Sequence, residues 1–177
     1  STSCFCQEIA GEQPVNVFDR KNDIDFFSQM MPARVRAGSK LVALQDKRLR
    51  HAIEKNNQNA IAVSANNLGY AHLKSTDYVQ AIKYFQQSLN AYTAIGKPES
   101  IAMAKTQLAF AIDQSGRDEV ALGYYKEALA IYDSLNNRRQ LPFINALQGI
   151  IYLQKGDTSN ANTYITRAIQ QFTANND

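Results

Sequence analysis

The chain has few of the residues that cross-link small folds or interrupt regular secondary structure. Its 177 residues include 2 cysteines, 4 prolines, 8 glycines and no tryptophan. So little proline and glycine excludes a collagen-like or low-complexity chain. At this length a hydrophobic core forms without a disulfide or a metal. Cys4 and Cys6 have one residue between them, which is too close for an ordinary disulfide and lacks the second pair of a zinc site.

An excess of one charge and long hydrophobic runs are also missing. The net charge is +3, from 19 basic and 16 acidic residues, which gives no electrostatic reason to expect a nucleic-acid partner. No run of about 18 apolar residues occurs, so we expect no membrane span in this sequence.

Motifs for catalysis are absent too. The two histidines, His51 and His72, fall in different predicted helices. No His-Glu-x-x-His, no paired Cys-x-x-Cys and no Gly-rich phosphate loop occurs in the sequence. His72 occupies the repeat position of Ile112 and Tyr152, so we expect a packing residue there. We therefore expect no enzymatic activity, no cofactor and no metal site.

What is present is an internal repeat with a period of 40 residues. A small residue recurs at Ala81, Ala121 and Ala161, and in the first two units an aromatic residue, Phe85 or Tyr125, follows four positions later. Spacings of three and four residues place side chains on one face of a helix. Each unit therefore predicts two amphipathic helices packed closely as a hairpin, and the fold class is all-α.

Turn-forming residues separate the predicted helices at the same 40-residue interval. Within the units, Gly116 and Gly156 suit a left-handed helix end, and Asp77, Asp118 or Asp157 can cap the start of the second helix. The predicted helices span residues 39–55, 59–74, 78–95, 99–114, 118–135, 139–154 and 158–174.

These residues resemble the signature of the tetratricopeptide repeat family, a Leu-Gly-x-x-Tyr block followed by Ala-x-x-x-Phe. Leu68, Gly69, Ala81 and Phe85 match it directly. The later units match through Leu108, Ala121 and Tyr125, and through Gly149, Tyr152 and Ala161. The family norm is a period of about 34 residues, so this chain resembles a variety with longer hairpins. The resemblance implies a right-handed superhelical solenoid of antiparallel hairpins that binds a protein or peptide.

The predicted organisation follows the repeat boundaries. Residues 1–10 are a signal-peptide remnant or disordered tail, 11–38 an N-terminal cap segment, 39–58 a helix of a partial repeat, and 59–97, 98–137 and 138–177 three repeat units. Within the cap segment, residues 23–31 suggest a short helix ending before Pro32. The last repeat lacks a polar capping helix, so we expect the sequence to be part of a longer chain.

The uncharged opening Ser1–Gln7 resembles the end of a secretory signal peptide, or a lipoprotein signal with Cys4 as the lipidated residue. We therefore expect an exported, membrane-anchored or periplasmic bacterial protein, such as the sensor or scaffold region in front of a histidine kinase. The alternatives are a cytoplasmic regulator that senses a signalling peptide, and a spacer that self-associates through its exposed terminal hairpins.

By family analogy the first helices line a concave groove that takes the peptide. Amide side chains there suit a peptide backbone, which offers both donors and acceptors. Tyr70 and Phe110 fit inter-helix packing equally well. The predicted groove residues are Asn66, Asn67, Tyr70, Lys74, Thr106, Gln107, Phe110, Asp113, Gln114, Ile150 and Gln154.

Basic residues gather in and before the first predicted helix. They are Arg34, Arg36, Lys40, Lys47, Arg48 and Arg50, against Asp46 alone. Such a run is an anionic docking face or the solvated side of an amphipathic helix. The second interpretation predicts that Leu41, Leu44, Leu49 and Ile53 form the buried side.

Overall fold

A computed structural model describes residues 38–176, with side chains placed for residues 42–174. This part of the chain contains seven α-helices and no strand. The helices are α1 (Gly38–Glu54), α2 (Gln58–Lys74), α3 (Tyr78–Ile95), α4 (Pro98–Gln114), α5 (Asp118–Ser134), α6 (Leu141–Gln154) and α7 (Thr158–Asn176). The predicted all-α fold is confirmed.

Consecutive helices pack on one another along the whole array. The pairs α2–α3, α4–α5 and α6–α7 form three hairpins, and α1 packs on α2 as α3 packs on α4. Contact between consecutive helices is smallest between α5 and α6. The third hairpin is therefore the least firmly attached of the three.

Left-handed residues and caps set the turn within each hairpin. Thr76, Gly116 and Gly156 have φ of 58°, 81° and 76°, so the glycine prediction is confirmed and Thr76 adopts the same conformation. Asp77 accepts a hydrogen bond from the backbone N–H of Gln80 at its Oδ1, as a helix N-cap does. Asp157 Oδ1 does the same for the N–H of Asn160, at 3.1 Å.

Two predicted details of helix starts differ from the structure. Asp118 does not cap α5, because it is the first residue of that helix and Arg117, which makes no side-chain cap bond, precedes it. Helix α6 begins at Leu141 instead of residue 139. Pro142 lacks an N–H and is tolerated only in the first helical turn, so a start two residues earlier would place it deeper in the helix.

Small residues let the two helices of a hairpin approach closely. Ala81, Ala121 and Ala161 are each 0% exposed. A Cβ atom on Gly69 would lie 2.6 Å from the Phe85 ring, so only glycine fits there without a shift of that ring. The repeat thus encodes helix-to-helix distance as well as apolar patterning.

The predicted buried side of α1 is only partly correct. Leu49 is 4% exposed, but Leu44 is 43% and Ile53 49% exposed. Among the described helices α1 packs against α2 as its main neighbour, and part of its apolar surface stays exposed. The side chain of Leu41 lies outside the described residues.

Several sequence-based predictions fall outside the described residues. These are the proposed signal remnant at 1–10, residues 11–37 of the cap segment, Cys4, Cys6, Arg34 and Arg36, and the side chain of Lys40.

Candidate binding surface

The first helices of successive units lie side by side and are joined by a side-chain hydrogen bond. Gln107 Nε2 on α4 donates to the Tyr70 hydroxyl on α2, at 2.7 Å. Tyr70 also meets Phe85 edge to face, with ring centroids 5.2 Å apart. Burial raises the pKa of Tyr70 to about 12, although the bond from Gln107 acts to lower it. This neutral hydroxyl links two repeat units.

Two polar side chains on the first helices lie one helical turn before buried aromatic residues. Asn66 stands four residues before Tyr70, and Thr106 stands four before Phe110, so each shares a helix face with its partner. Both are half-buried, as is Asn67. Thr106 Oγ1 donates to the carbonyl of Ala102 at 2.9 Å, which leaves its lone pairs available to a donor.

Five predicted groove residues lie in the interior. Phe110 is 1% exposed, Tyr70 and Gln107 are each 5% exposed, and Gln114 donates from Nε2 to Oδ2 of the buried Asp113 at 3.1 Å. In this conformation these side chains are part of the packed interior. For Tyr70 and Phe110 this agrees with the alternative that they pack between helices.

The other predicted residues keep exposed surface. Lys74 and Gln154 are exposed near the ends of α2 and α6, and Ile150 is half-buried on α6. The surface that the first helices present therefore combines Asn66, Asn67 and Thr106 in the first two units with Ile150 in the third. It is polar over two units and apolar in the third.

Four buried side-chain amide oxygens have no hydrogen-bond partner within the described part of the chain. They are Oδ1 of Asn66 on α2, Oε1 of Gln107 on α4, and Oδ1 of Asn145 and Oε1 of Gln148 on α6. A buried acceptor without a donor carries a free-energy penalty of about 1–3 kcal/mol. All four oxygens lie on first helices, α2, α4 and α6, where they are shielded from solvent.

A cluster of cations for a ligand carboxylate does not form on this surface. Lys105 on α4 pairs with Glu127 and lies 5.6 Å from the centroid of the Tyr124 ring on α5. Lys105 is thus held against the second helix of its own hairpin. Lys74 is exposed at the end of α2.

His72 packs, as the repeat position predicts. Its ring stacks on Tyr84 with centroids 5.3 Å apart, and its Nδ1 lies 3.2 Å from Oδ2 of Asp77. Across residues 38–176 no group of three or more His, Cys, Asp and Glu side chains could hold a metal ion. No helix in this range is long and apolar enough to cross a membrane.

The described members of the basic run, Lys47, Arg48 and Arg50, are exposed on α1. Arg50 pairs with Asp46 at 2.8 Å. Sequence analysis did not predict that Leu44 is exposed beside them, or that Val63 on α2 is 51% exposed. One signal was available: Arg48 stands where the complete units have Ser88, Ala128 and Ala168.

The comparisons with known proteins agree with this architecture. Residues 60–134 match the family profile described as "Tetratricopeptide repeat". No curated protein sequence matches the chain significantly.

Among the solved structures that are similar to this chain are the following three. The tetratricopeptide-repeat domain of Arabidopsis FLU is 17% identical with a TM-score of 0.63, covering 66% of this chain and 98% of that domain. Aspartyl phosphate phosphatase F from Bacillus subtilis is 18% identical with a TM-score of 0.73, over 90% of this chain but only 42% of the phosphatase. BtubC from P. vanneervenii is 18% identical with a TM-score of 0.60, over 85% of this chain and 68% of that protein. At these identities the likeness shows the fold alone, the predicted right-handed superhelical solenoid.

Proposed function

Because residues 60–134 are tetratricopeptide repeats, we propose that this chain is a non-catalytic module that binds a protein or peptide along its first helices. Such repeats are generally protein-interaction modules, and no catalytic family matches the chain. The extended ligand lies across α2, α4 and α6.

One observation carries the choice of surface. Half-buried Asn66 stands one helical turn before Tyr70, and half-buried Thr106 is next in sequence to Gln107, so both lie near the ends of the buried Tyr70–Gln107 bond. The buried Oδ1 of Asn66 has no partner among the described residues. An extended peptide supplies N–H donors at regular intervals and would satisfy such acceptors. Ile150 on α6 then offers apolar area for a ligand side chain.

A displayed library of random peptides tests the proposal against the full chain. We expect selected peptides to lose about tenfold or more in affinity on the double substitution Asn66→Ala and Thr106→Ala, the loss of roughly two hydrogen bonds. The matched control is Asn162→Ala with Thr166→Ala, the same two residue types exposed on α7. Failure to select any peptide, or equal loss in the control, would show that the groove is not the binding surface.

Self-association is a second candidate, favoured by the exposed face of α7. Ile169 is 58% and Phe172 37% exposed, whereas Leu89 and Tyr92, the equivalent residues of α3, are covered and only 6% and 8% exposed. Another copy would bury this pair. Sedimentation velocity over a wide concentration range tests this, because a strict monomer excludes it. A concentration-dependent dimer that Phe172→Ser abolishes supports it.

The cellular context is also part of the proposal: an exported sensor or scaffold region of a larger bacterial signalling protein. Its support is the uncharged opening Ser1–Gln7, which resembles the end of a signal peptide. Fractionation of cells that express the natural gene distinguishes the cases. Recovery of the protein with the cytoplasmic fraction contradicts export.

A further inference from the structure

A second groove lies at the α1 end of the array, between α1 and α2. Its volume is about 560 Å³. Its lining residues come from both helices and from the turn between them, and are Leu44, Gln45, Lys47, Arg48, His51, Ala52, Lys55, Asn57, Ala60, Val63, Ser64 and Asn67. Only Asn67 among them belongs to the predicted peptide groove, so this is largely a separate surface.

The 40-residue repeat identifies what kind of element fits the groove. Adding 40 to the lining residues gives positions on α3, on α4 and in the turn between them. In that unit α2 packs against α3 and reaches α4 through a side-chain hydrogen bond. Tyr84, the equivalent of Leu44, stacks on His72 of α2. Ser88, the equivalent of Arg48, donates to the carbonyl of Ala62 on α2, at 2.9 Å.

The match continues on the other wall. Gln107, the equivalent of Asn67, donates to the hydroxyl of Tyr70 on α2. Three lining positions thus correspond to residues that contact a first helix in the complete unit. The groove therefore has the shape of a seat for one α-helix lying between α1 and α2.

The chemistry of this seat differs from that of the complete units. Where they have a small buried residue, Ser88, Ala128 or Ala168, the seat has the exposed Arg48, and Gln45 stands in place of Phe85. Gln45 is 5% exposed and accepts a hydrogen bond from Nδ2 of Asn67 on α2, at 3.4 Å. The exposed polar group is therefore the Arg48 cation, which suits a helix with polar flanks better than one that is closely packed and apolar. The floor of the seat remains apolar, through Leu44 and Val63, which are 43% and 51% exposed.

The charge of the seat has one sign. Lys47, Arg48, His51 and Lys55 line it, and no carboxylate is among its described lining residues. Lys47, Arg48 and Lys55 form no ion pair with the described residues, and His51 lies 3.8 Å from Glu54. An apolar floor within a cationic rim complements an apolar stripe flanked by carboxylates.

We propose that this seat binds an amphipathic helix of a partner protein whose apolar stripe is flanked by Asp and Glu. The occupant lies against α1 as α2 lies against α3. Its apolar side chains cover Leu44 and Val63, and its carboxylates face Lys47, Arg48 and Lys55.

Two labelled 17-residue peptides, the length of α2, test the proposal by fluorescence anisotropy with the full chain. Both carry the same Leu and Ala stripe; one is flanked by Glu and the other by Lys. We expect the Glu peptide to bind about tenfold or more tightly than the Lys peptide, and the difference to shrink at high salt. Equal binding of the two peptides, or no binding of either, overturns the proposal.

Charge reversal locates the site. The double substitution Lys47→Glu and Arg48→Glu should weaken the Glu peptide by about tenfold or more. The control, Lys97→Glu with Lys126→Glu, changes net charge equally at exposed positions outside the seat. Equal weakening in the control would mean that general charge, and not the seat, binds the peptide.

Two further results separate this site from its alternatives. Asn66→Ala with Thr106→Ala should leave binding of the Glu peptide unchanged, since neither residue lines the seat. If sedimentation shows a dimer that Lys47→Glu with Arg48→Glu dissociates, the occupant is a second copy of this chain and the proposal is wrong.

Discussion

The side-chain amide of Gln107 donates to the hydroxyl of Tyr70 across 37 residues of sequence, at 2.7 Å, with both side chains 5% exposed. This buried bond connects the first helices of two units. It therefore contributes to the coupling between repeats as well as to the stability of each repeat.

Tyr70→Phe should lower the free energy of unfolding by about 1–2 kcal/mol, because the Nε2 of Gln107 then has no acceptor in the interior. Urea denaturation measures the change. Tyr78→Phe is the control, since Tyr78 is half-buried at the start of α3 and should lose almost nothing. Tyr70→Phe combined with Gln107→Met should recover part of the loss, because no buried donor is then left unpaired. Equal losses in Tyr70→Phe and the control would contradict the role of this bond.

Alkaline pH should destabilise the protein, because two of its buried tyrosines have raised pKa values. Burial raises the pKa of Tyr70 from 10.0 to about 12, and burial followed by the charges of Glu99 and Tyr70 raises the pKa of Tyr132. Above pH 10 the unfolded chain loses these protons while the folded chain keeps them. Stability is thus complete below pH 10 and falls as pH rises toward 12, by roughly 2 kcal/mol for Tyr70.

Urea midpoints between pH 8 and pH 11.5 measure this fall. The Tyr70→Phe variant, although less stable at pH 8, should show a shallower decline, because one of the shifted groups is gone. Parallel declines in the two proteins would rule out a contribution from Tyr70.

Two glycines in helices should respond oppositely to alanine. Gly69→Ala places a Cβ atom 2.6 Å from the Phe85 ring and should destabilise by about 1–3 kcal/mol. Gly123→Ala meets no atom within 4 Å and should stabilise α5 by roughly 0.5–1 kcal/mol, because alanine loses less backbone entropy. Thermal and urea unfolding of the two variants, side by side, compare them. A stabilised Gly69→Ala variant would show that the ring of Phe85 moves aside at little cost.

The carboxylate of Asp77 should make a measurable contribution to stability. Asp77→Ala removes the acceptor for the N–H of Gln80 and the contact with Nδ1 of His72, and should cost about 1 kcal/mol, whereas Asp77→Asn should retain most of the stability. Asp118→Ala is a suitable comparison, because Asp118 lies inside the first turn of α5 and caps nothing. Its charge near the helix N-terminus is worth roughly 0.3–1 kcal/mol. A larger loss at Asp118 than at Asp77 would contradict the observed caps.

The third hairpin should open more readily than the first two. The contact between α5 and α6 is the smallest between consecutive helices, and Ile169 and Phe172 leave one face of α7 uncovered. In a linear array each unit is stabilised chiefly by its neighbours. Hydrogen exchange should therefore show faster exchange in α6 and α7 than in α2–α5, with mass spectrometry of peptides as the measurement. Uniform protection across all the hairpins would contradict this.

The sequence alone determined the features whose causes are local. The 40-residue spacing and the turn residues located all seven helices, because a cap such as Asp77 or a left-handed Gly116 acts on residues within one turn. The errors at Asp118 and at the start of α6 are also local, and each concerns one or two residues at a helix end. The match of residues 60–134 to the family rests on the same repeated positions.

Only the tertiary structure decided which polar and apolar side chains meet solvent. Gln107 follows Thr106 directly in α4, but whether Gln107 is buried depends on Tyr70, which lies in another unit. Leu44 has the spacing of a core residue, yet it is 43% exposed because no described helix packs over it as α2 packs over Tyr84. Exposure depends on neighbours distant in sequence, and a pattern within one helix carries no information about them.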